Sequence, residues 1–235
     1  MLPISRPIRP DDFGLIAQIP GMAAIARDQD LRLFWTTNEF YRIFGLVDTV
    51  EEMMNKRLAD VLCKSCAQER EDRQRRVIQT GIVDHHYQLS TDSRVLCTIM
   101  PLDEKAFGHK GILAIMKDAR LEPRAVNLDR YPTLKTPIFT KLGVLSMREL
   151  EVLYYVAVGM STQVISDRLC RATKTIEHHV NSIHTKLDTH SRAELVRFAS
   201  ERGIQAFSID EWNTIVEGAK LIRNETIPSK AGALA

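Results

Sequence analysis

Lys174, Thr175, Glu177, His178 and Asn181 fall within eight consecutive residues, and each side chain can donate or accept a hydrogen bond. Chemistry of this kind recognises a surface and breaks no bond. Elsewhere no nucleophile, base and orienting group recur at a recognisable spacing, so no enzymatic activity is expected. Cys63-Lys64-Ser65-Cys66 is a C-x-x-C pair, the spacing of metal ligands or a redox couple. No second pair follows it, and Cys97 is the only other cysteine in that half of the chain, so no metal site is expected. His85 and His86 fall on an expected strand, where successive side chains point to opposite faces. At most one of them can reach a pocket.

The reading residues need a rigid element beneath them. Ile176, Val180, Ile183 and Leu187 are spaced four, three and four, a single stripe on a helix over 173–187. Opposite that stripe lie Lys174, His178, Asn181 and Thr185, with Glu177 and His184 on one flank and Thr175, Ser182 and Lys186 on the other. Ser146 with Glu149, and Ser191 with Glu194, are S-x-x-E capping boxes that mark two further helix starts. Gly159 can close the first helix in the left-handed conformation, and Ser161 can cap the next. Two helices joined so tightly cross steeply. A polar row above a buried stripe suits the DNA major groove, where base edges present a sequence-specific pattern of donors and acceptors.

With these pieces in this order, residues 142–199 resemble the C-terminal four-helix domain of LuxR-type transcriptional regulators. The resemblance implies a helix-turn-helix whose third helix enters the major groove of double-stranded DNA. It makes Glu177, His178 and Asn181 base-reading candidates, and Lys174, Thr175, Lys186 and Arg192 contacts to the phosphate backbone, which position the protein without specifying sequence. Two positions depart from the family pattern. Ala172 replaces the usual capping Ser, so Thr173 is expected to cap and shift the helix start. Glu177 stands where a basic residue is common, and could accept from a cytosine amino group. Residues 141–202 hold nine Lys or Arg against seven Asp or Glu, and the whole chain is only +2. Phosphate neutralisation supplies much of DNA affinity, so a homodimer on a roughly palindromic site is expected.

At 235 residues, 44% hydrophobic and 26% charged, the chain has the composition of a two-domain soluble protein. No apolar run approaches the roughly 18 residues of a membrane span, and prolines, arginines and aspartates crowd the first thirteen residues, so a cytoplasmic protein with reduced thiols is expected. Strand-like runs at 22–26 and 31–36 flank Asp28-Gln29-Asp30 as a hairpin. Helical stretches follow at 38–44, 49–62 and 65–79, and then strands at 83–90, 94–102 and 110–117. This order implies an α+β domain with an antiparallel five-stranded sheet and helices on one side. It resembles a PAS domain over 13–120, with Asp30 to Trp35, Asn38, Phe40 and Gly45 as the opening segment.

The resemblance implies a sensor that takes a small-molecule ligand or a protein partner. Trp35, Phe40, Phe44, Ile99 and Ile115 are the candidate pocket residues around a small apolar cavity. The cofactor is left unknown. Haem is disfavoured because 65–79 holds no histidine, and flavin photochemistry because its cysteine motif is absent. A receiver domain is rejected for want of its clustered aspartates, whereas an autoinducer-binding domain, also α+β and about this long, stands as a weaker alternative whose Trp, Tyr and Asp pattern is absent. Pro123, Pro132 and Pro137 place an extended linker at 121–141, before a helix-turn-helix unit at 142–202. Ser208 with Glu211, then Trp212, Ile215, Val216, Ala219 and Ile222, predict an amphipathic helix within a 203–227 extension. That helix could serve a dimer or interdomain contact, or pack back on its own domain, and a disordered tail is expected from Pro228. The expected function is a sequence-specific DNA-binding transcriptional regulator with a PAS-like sensor. The alternative is a signalling adaptor whose helical domain does not read DNA.

Overall fold

The computed structural model describes residues 7–40, 50–120 and 131–226. Phe44, the first half of the expected linker and the tail from Pro228 lie outside the described residues. Strands β1 (Met22–Asp28), β2 (Leu33–Thr36), β3 (Asp84–Ser90), β4 (Ser93–Pro101) and β5 (Gly111–Asp118) form one antiparallel sheet in the order β2-β1-β5-β4-β3. Between β2 and β3, at opposite edges, the chain runs through α2 (Val50–Met53), a 3-10 turn at Leu58–Asp60 and α3 (Lys64–Thr80). The order of elements is the PAS-like one expected. One continuous helix over 49–62 does not form, because Asn55 adopts a left-handed φ of +63°, a conformation Asn tolerates better than most residues.

Both faces of the sheet are covered, whereas helices on one side alone were expected. Ala23, Ile25, Cys97, Ile99, Ala114 and Met116 pack toward Phe40, Met53 and Val77 on the α3 side. On the other side Ala24, Ala26, Met100 and Leu113 pack on Phe13 and Ile16 of α1 (Pro10–Ile16), with Phe107 of the short α4 (Glu104–Phe107) alongside. Double coverage explains why β1 reads as a continuous apolar run and shows no alternation.

The C-terminal unit comprises α5 (Met147–Ala157), α6 (Thr162–Arg168), α7 (Thr173–Leu187), α8 (Arg192–Ser200) and α9 (Ile209–Ile222). Four of these are the expected bundle. The fifth belongs to the same core: Trp212 is fully buried, donates from Nε1 to the Leu150 carbonyl at 2.9 Å and stacks on Tyr154 with ring centroids 5.8 Å apart. Buried inside its own unit, Trp212 is no anchor for a dimer seam. Helix α9 also touches the N-terminal unit, where the Glu225 carboxylate just beyond it accepts from the Ser65 N–H at 2.8 Å and from the Ser65 hydroxyl.

Residues 132–138, expected as an unpatterned linker, pair with the outer edge of β3. The Tyr87 N–H donates to Pro132 O at 2.9 Å, Leu134 N–H to Tyr87 O at 2.8 Å and Ile138 N–H to Leu89 O at 2.9 Å. An edge that would otherwise be open is thus closed. Gly218 of α9 lies against this segment so closely that a Cβ there would sit 1.8 Å from the Lys135 carbonyl oxygen. At the β3–β4 turn, Thr91 and Asp92 both have positive φ, as a two-residue hairpin with matched twist requires. Asp92 is thereby turned to accept from the N–H groups of Thr140 at 2.9 Å and Leu142 at 3.1 Å.

Candidate nucleic-acid interface and ligand cavity

Helix α7 stands on its predicted stripe, with Ile176 and Ile183 fully buried and Leu187 nearly so. It begins at Thr173 with Ala172 as N-cap and no side-chain cap bond. Thr173 therefore does not cap, and the expected shift of the start does not occur. Its hydroxyl donates instead to Gln163 Oε1 of α6 at 3.1 Å, bracing the two helices where they meet. Ser161 caps α6 by accepting from the Val164 N–H at 3.3 Å, and Gly159 takes φ +83° before it. At α8, Ser191 caps as expected, but Glu194 accepts from the N–H of His190 at 2.7 Å and does not close the box on Ser191.

Five of the seven predicted contact residues share the exposed side of α7. Lys174, Thr175, Glu177, His178 and Asn181 are all exposed, and the structure shows no side-chain hydrogen bond or ion pair for any of them among the described residues. Lys186 and Arg192 are placed differently. Lys186 Nζ lies 2.7 Å from Glu149 Oε2, and Arg192 donates to the Met160 carbonyl, tying α8 to the α5–α6 turn. Both cations serve the fold first.

Glu149 is the hub of that arrangement. It closes the capping box on the Ser146 N–H at 2.6 Å and accepts from the Ser182 hydroxyl at 2.6 Å and from Lys186. Burial alone would raise this carboxyl, but the bonds from Lys186, Ser182 and Ser146 outweigh it and hold the group at about 2. The hub fixes the C-terminal half of α7 against α5. Nothing in the sequence spacing signals it beyond the capping box.

The cavity lies between the sheet and α3 and has a volume of about 90 Å³. Phe40 and Ile99 line it as predicted. Trp35 and Ile115 do not: they pair across the sheet with Ala26 and Ala24, and so share the opposite face. There Trp35 stacks on Phe13 at 4.3 Å. Polar residues absent from the sequence expectation complete the walls, namely Arg27, Arg70, Gln74, His86 and Gln88.

Of the histidine pair, His86 faces the cavity, while His85 stacks on Tyr131 at 4.7 Å and shares a 2.9 Å bond with Thr98. Burial lowers His86 despite the Asp84 carboxylate 2.7 Å from its Nδ1, so the ring is neutral at pH 7. Cys63 and Cys66 are buried free thiols at the start of α3. The hydrogen bond between them lowers Cys66 and raises Cys63. Among the described residues no group of three or more His, Cys, Asp or Glu could hold a metal ion, and no helix is long and apolar enough to cross a membrane.

Residues 143–199 match the family model described as bacterial regulatory proteins, luxR family. The oxygen regulatory protein NreC of Staphylococcus haemolyticus is 41% identical over 64 residues, covering 27% of this chain and 30% of that protein. The transcriptional activator protein ExaE of Pseudomonas putida is 38% identical over 64 residues, with the same coverage. The chain thus spans about three tenths of the length of the curated relatives it matches. Among solved structures, a ligand and DNA complex of VqmA from Vibrio cholerae is 19% identical with a TM-score of 0.45, covering 95% of this chain and 98% of that one. The PAS domain of Bordetella pertussis BvgS is 18% identical with a TM-score of 0.38, covering 46% of this chain and 83% of that one. The caps, the short turn and the striped third helix all lie within residues 143–199, the part of the chain that matches the luxR family of bacterial regulatory proteins.

Proposed function

We propose that the chain is a sequence-specific DNA-binding transcriptional regulator whose PAS-like unit senses a ligand, acting by binding and not by catalysis. The observation that carries this reading is the row on α7. Lys174, Thr175, Glu177, His178 and Asn181 stand exposed and unspent on a helix fixed from behind, within the segment that matches the luxR family. His178 and Asn181 suit base edges, Glu177 suits a cytosine amino group, and Lys174 and Thr175 suit phosphates. With Lys186 paired to Glu149, the phosphate charge offered by one protomer is small, which favours a homodimer on two half-sites. The extended segment before residue 142 is read as the link from sensor to reader, and the cytoplasm as the compartment.

Selection of bound sequences from a random duplex library by the full-length chain tests the reading. Enrichment of one motif, lost in Asn181→Ala, supports it. Binding with no enriched motif, or no binding, would reduce the helical unit to a protein-interaction module.

A further inference from the structure

We propose that the cavity between the sheet and α3 receives a small monocarboxylate, an acid of a few carbons with an apolar body, held by the guanidinium of Arg27. The proposal rests on the ligand-sensing reading above and names the class of ligand. Arg27 is 1% exposed and lines the cavity. Its Nη1 donates to the carbonyls of Leu31 at 2.6 Å and Lys56 at 3.0 Å, and its buried Nε has no partner among the described residues. No ion pair to Arg27 exists among the described residues. Glu71, the acid that acts on it most strongly, is turned to the Arg57 guanidinium and to the Ala59 N–H at 3.3 Å. A buried cation without a carboxylate is costly unless something else neutralises it. Burial lowers Arg27 to about 10, so it remains protonated at neutral pH.

The rest of the lining fits one anion and no second cation. Two arginines face the cavity and no Asp or Glu does among the described residues. Arg70 is already committed to Gln88, Cys66 and Thr136, which leaves Arg27 as the group with donors to give. Gln74 supplies a second handle, since its buried Oε1 is also without a partner. A half-turn of that amide exchanges its oxygen and nitrogen, so it can donate to the second carboxylate oxygen. Ile25, Met53, Ala114 and Met116 provide the apolar body of the site. A cavity near 90 Å³ is smaller than the ~150 Å³ that admits the six heavy atoms of benzene, which limits the acid to about five heavy atoms or fewer.

The test titrates the full-length chain with sodium formate, acetate and propionate, and in parallel with the three corresponding amides, by calorimetry and thermal melting. At least one acid should bind saturably and raise the melting temperature, with its amide tenfold or more weaker. Arg27→Lys, which keeps the charge and loses the planar fork, should weaken that acid about tenfold. Arg27 also ties the β1–β2 turn through Leu31, so Ala114→Leu serves as the independent variant. It fills the cavity while leaving Arg27 itself unsubstituted, and should abolish binding in a protein that still folds. Equal binding of acid and amide, or acid binding that survives Ala114→Leu, would overturn the carboxylate assignment and leave ligand sensing standing. Failure of all six compounds in a preparation that still shifts its selected DNA would overturn the assignment and leave the DNA-reading function intact.

Discussion

Arg70 donates from Nη2 to the main-chain oxygen of Thr136 at 3.1 Å and from Nη1 to its hydroxyl at 3.1 Å, so one side chain both walls the cavity and holds the segment that enters the helical unit. Ile138, two residues on, lines the same cavity, as does Thr91 beside Asp92. Arg70 is thus bonded to the segment that leads into the helical unit, and Ile138 belongs to that segment and is bonded to Leu89 and Asp92 of the β3–β4 hairpin. Arg94 adds a second tie. It lies 3.8 Å over the Tyr87 ring and 5.3 Å from the Phe207 ring, while its N–H donates to Arg202 O at 3.0 Å.

The tie at Asp92 is open to a clean substitution. Asn tolerates the left-handed conformation that Asp92 adopts, so Asp92→Asn keeps the hairpin and changes one oxygen into a donor. That donor faces the hydroxyl and N–H groups of Thr140 and Leu142. A loss of about 1–3 kcal/mol is expected in urea unfolding, and a smaller loss in a background where Thr140 is already Val, since only the two main-chain N–H groups then face the new donor. An unchanged unfolding midpoint would mean that Asp92 does not join the two units.

Trp212 should behave as core. Trp212→Phe removes the bond to the Leu150 carbonyl, which keeps its helical partner, and leaves space in the core where the indole packed, at an expected cost of about 1–3 kcal/mol, followed by far-ultraviolet circular dichroism in denaturant. Removing the chain from residue 204 onward should unfold the helical unit and abolish DNA binding. A truncated chain that melts like the full one would show α9 to be dispensable.

The parts of the reader that were legible in the sequence are those written locally. Ser146 with Glu149, Ser161, and the spacing of Ile176, Ile183 and Leu187 need only neighbouring residues to state a helix and its buried side. The pairing of Lys186 with Glu149 is a contact across 37 positions, invisible to periodicity. Trp35 and Ile115 were assigned to the wrong face for a similar reason. Strand parity tells which residues share a side, but the side holding the cavity is decided by where α1 packs, and Arg9 to Ile16 did not announce a helix. Residues 132–138 join the sheet through main-chain bonds, which leave no side-chain pattern to read.

Glu149 should give the helical unit a specific acid sensitivity. Its folded value of about 2 lies below the ordinary 4.5, so its contribution is full above pH 4.5 and is lost as the pH falls toward 2. The melting-temperature gap between the parent and Glu149→Gln should be widest near pH 6 and narrow steadily below pH 4.5. A gap independent of pH would show that the carboxylate charge is not what holds α7 to α5.

Lys174 and Lys186 lie twelve residues apart on α7 and should fail in different ways. Lys174 is exposed and has no side-chain partner among the described residues, so Lys174→Ala should weaken binding to every sequence alike and reduce the salt slope of the DNA affinity by about one. Lys186 gives its charge to Glu149 at 2.7 Å, so Lys186→Ala should lower thermal stability and leave the salt slope nearly unchanged. His178→Ala and Asn181→Ala form the third class, with a loss of about 1–3 kcal/mol on the selected site and none on random duplex. Fluorescence anisotropy across a salt series, read beside thermal melts, separates the three. A Lys186→Ala protein with unchanged stability and a reduced slope would return that residue to the phosphate backbone and undo the assignment of Glu149 as its partner in solution.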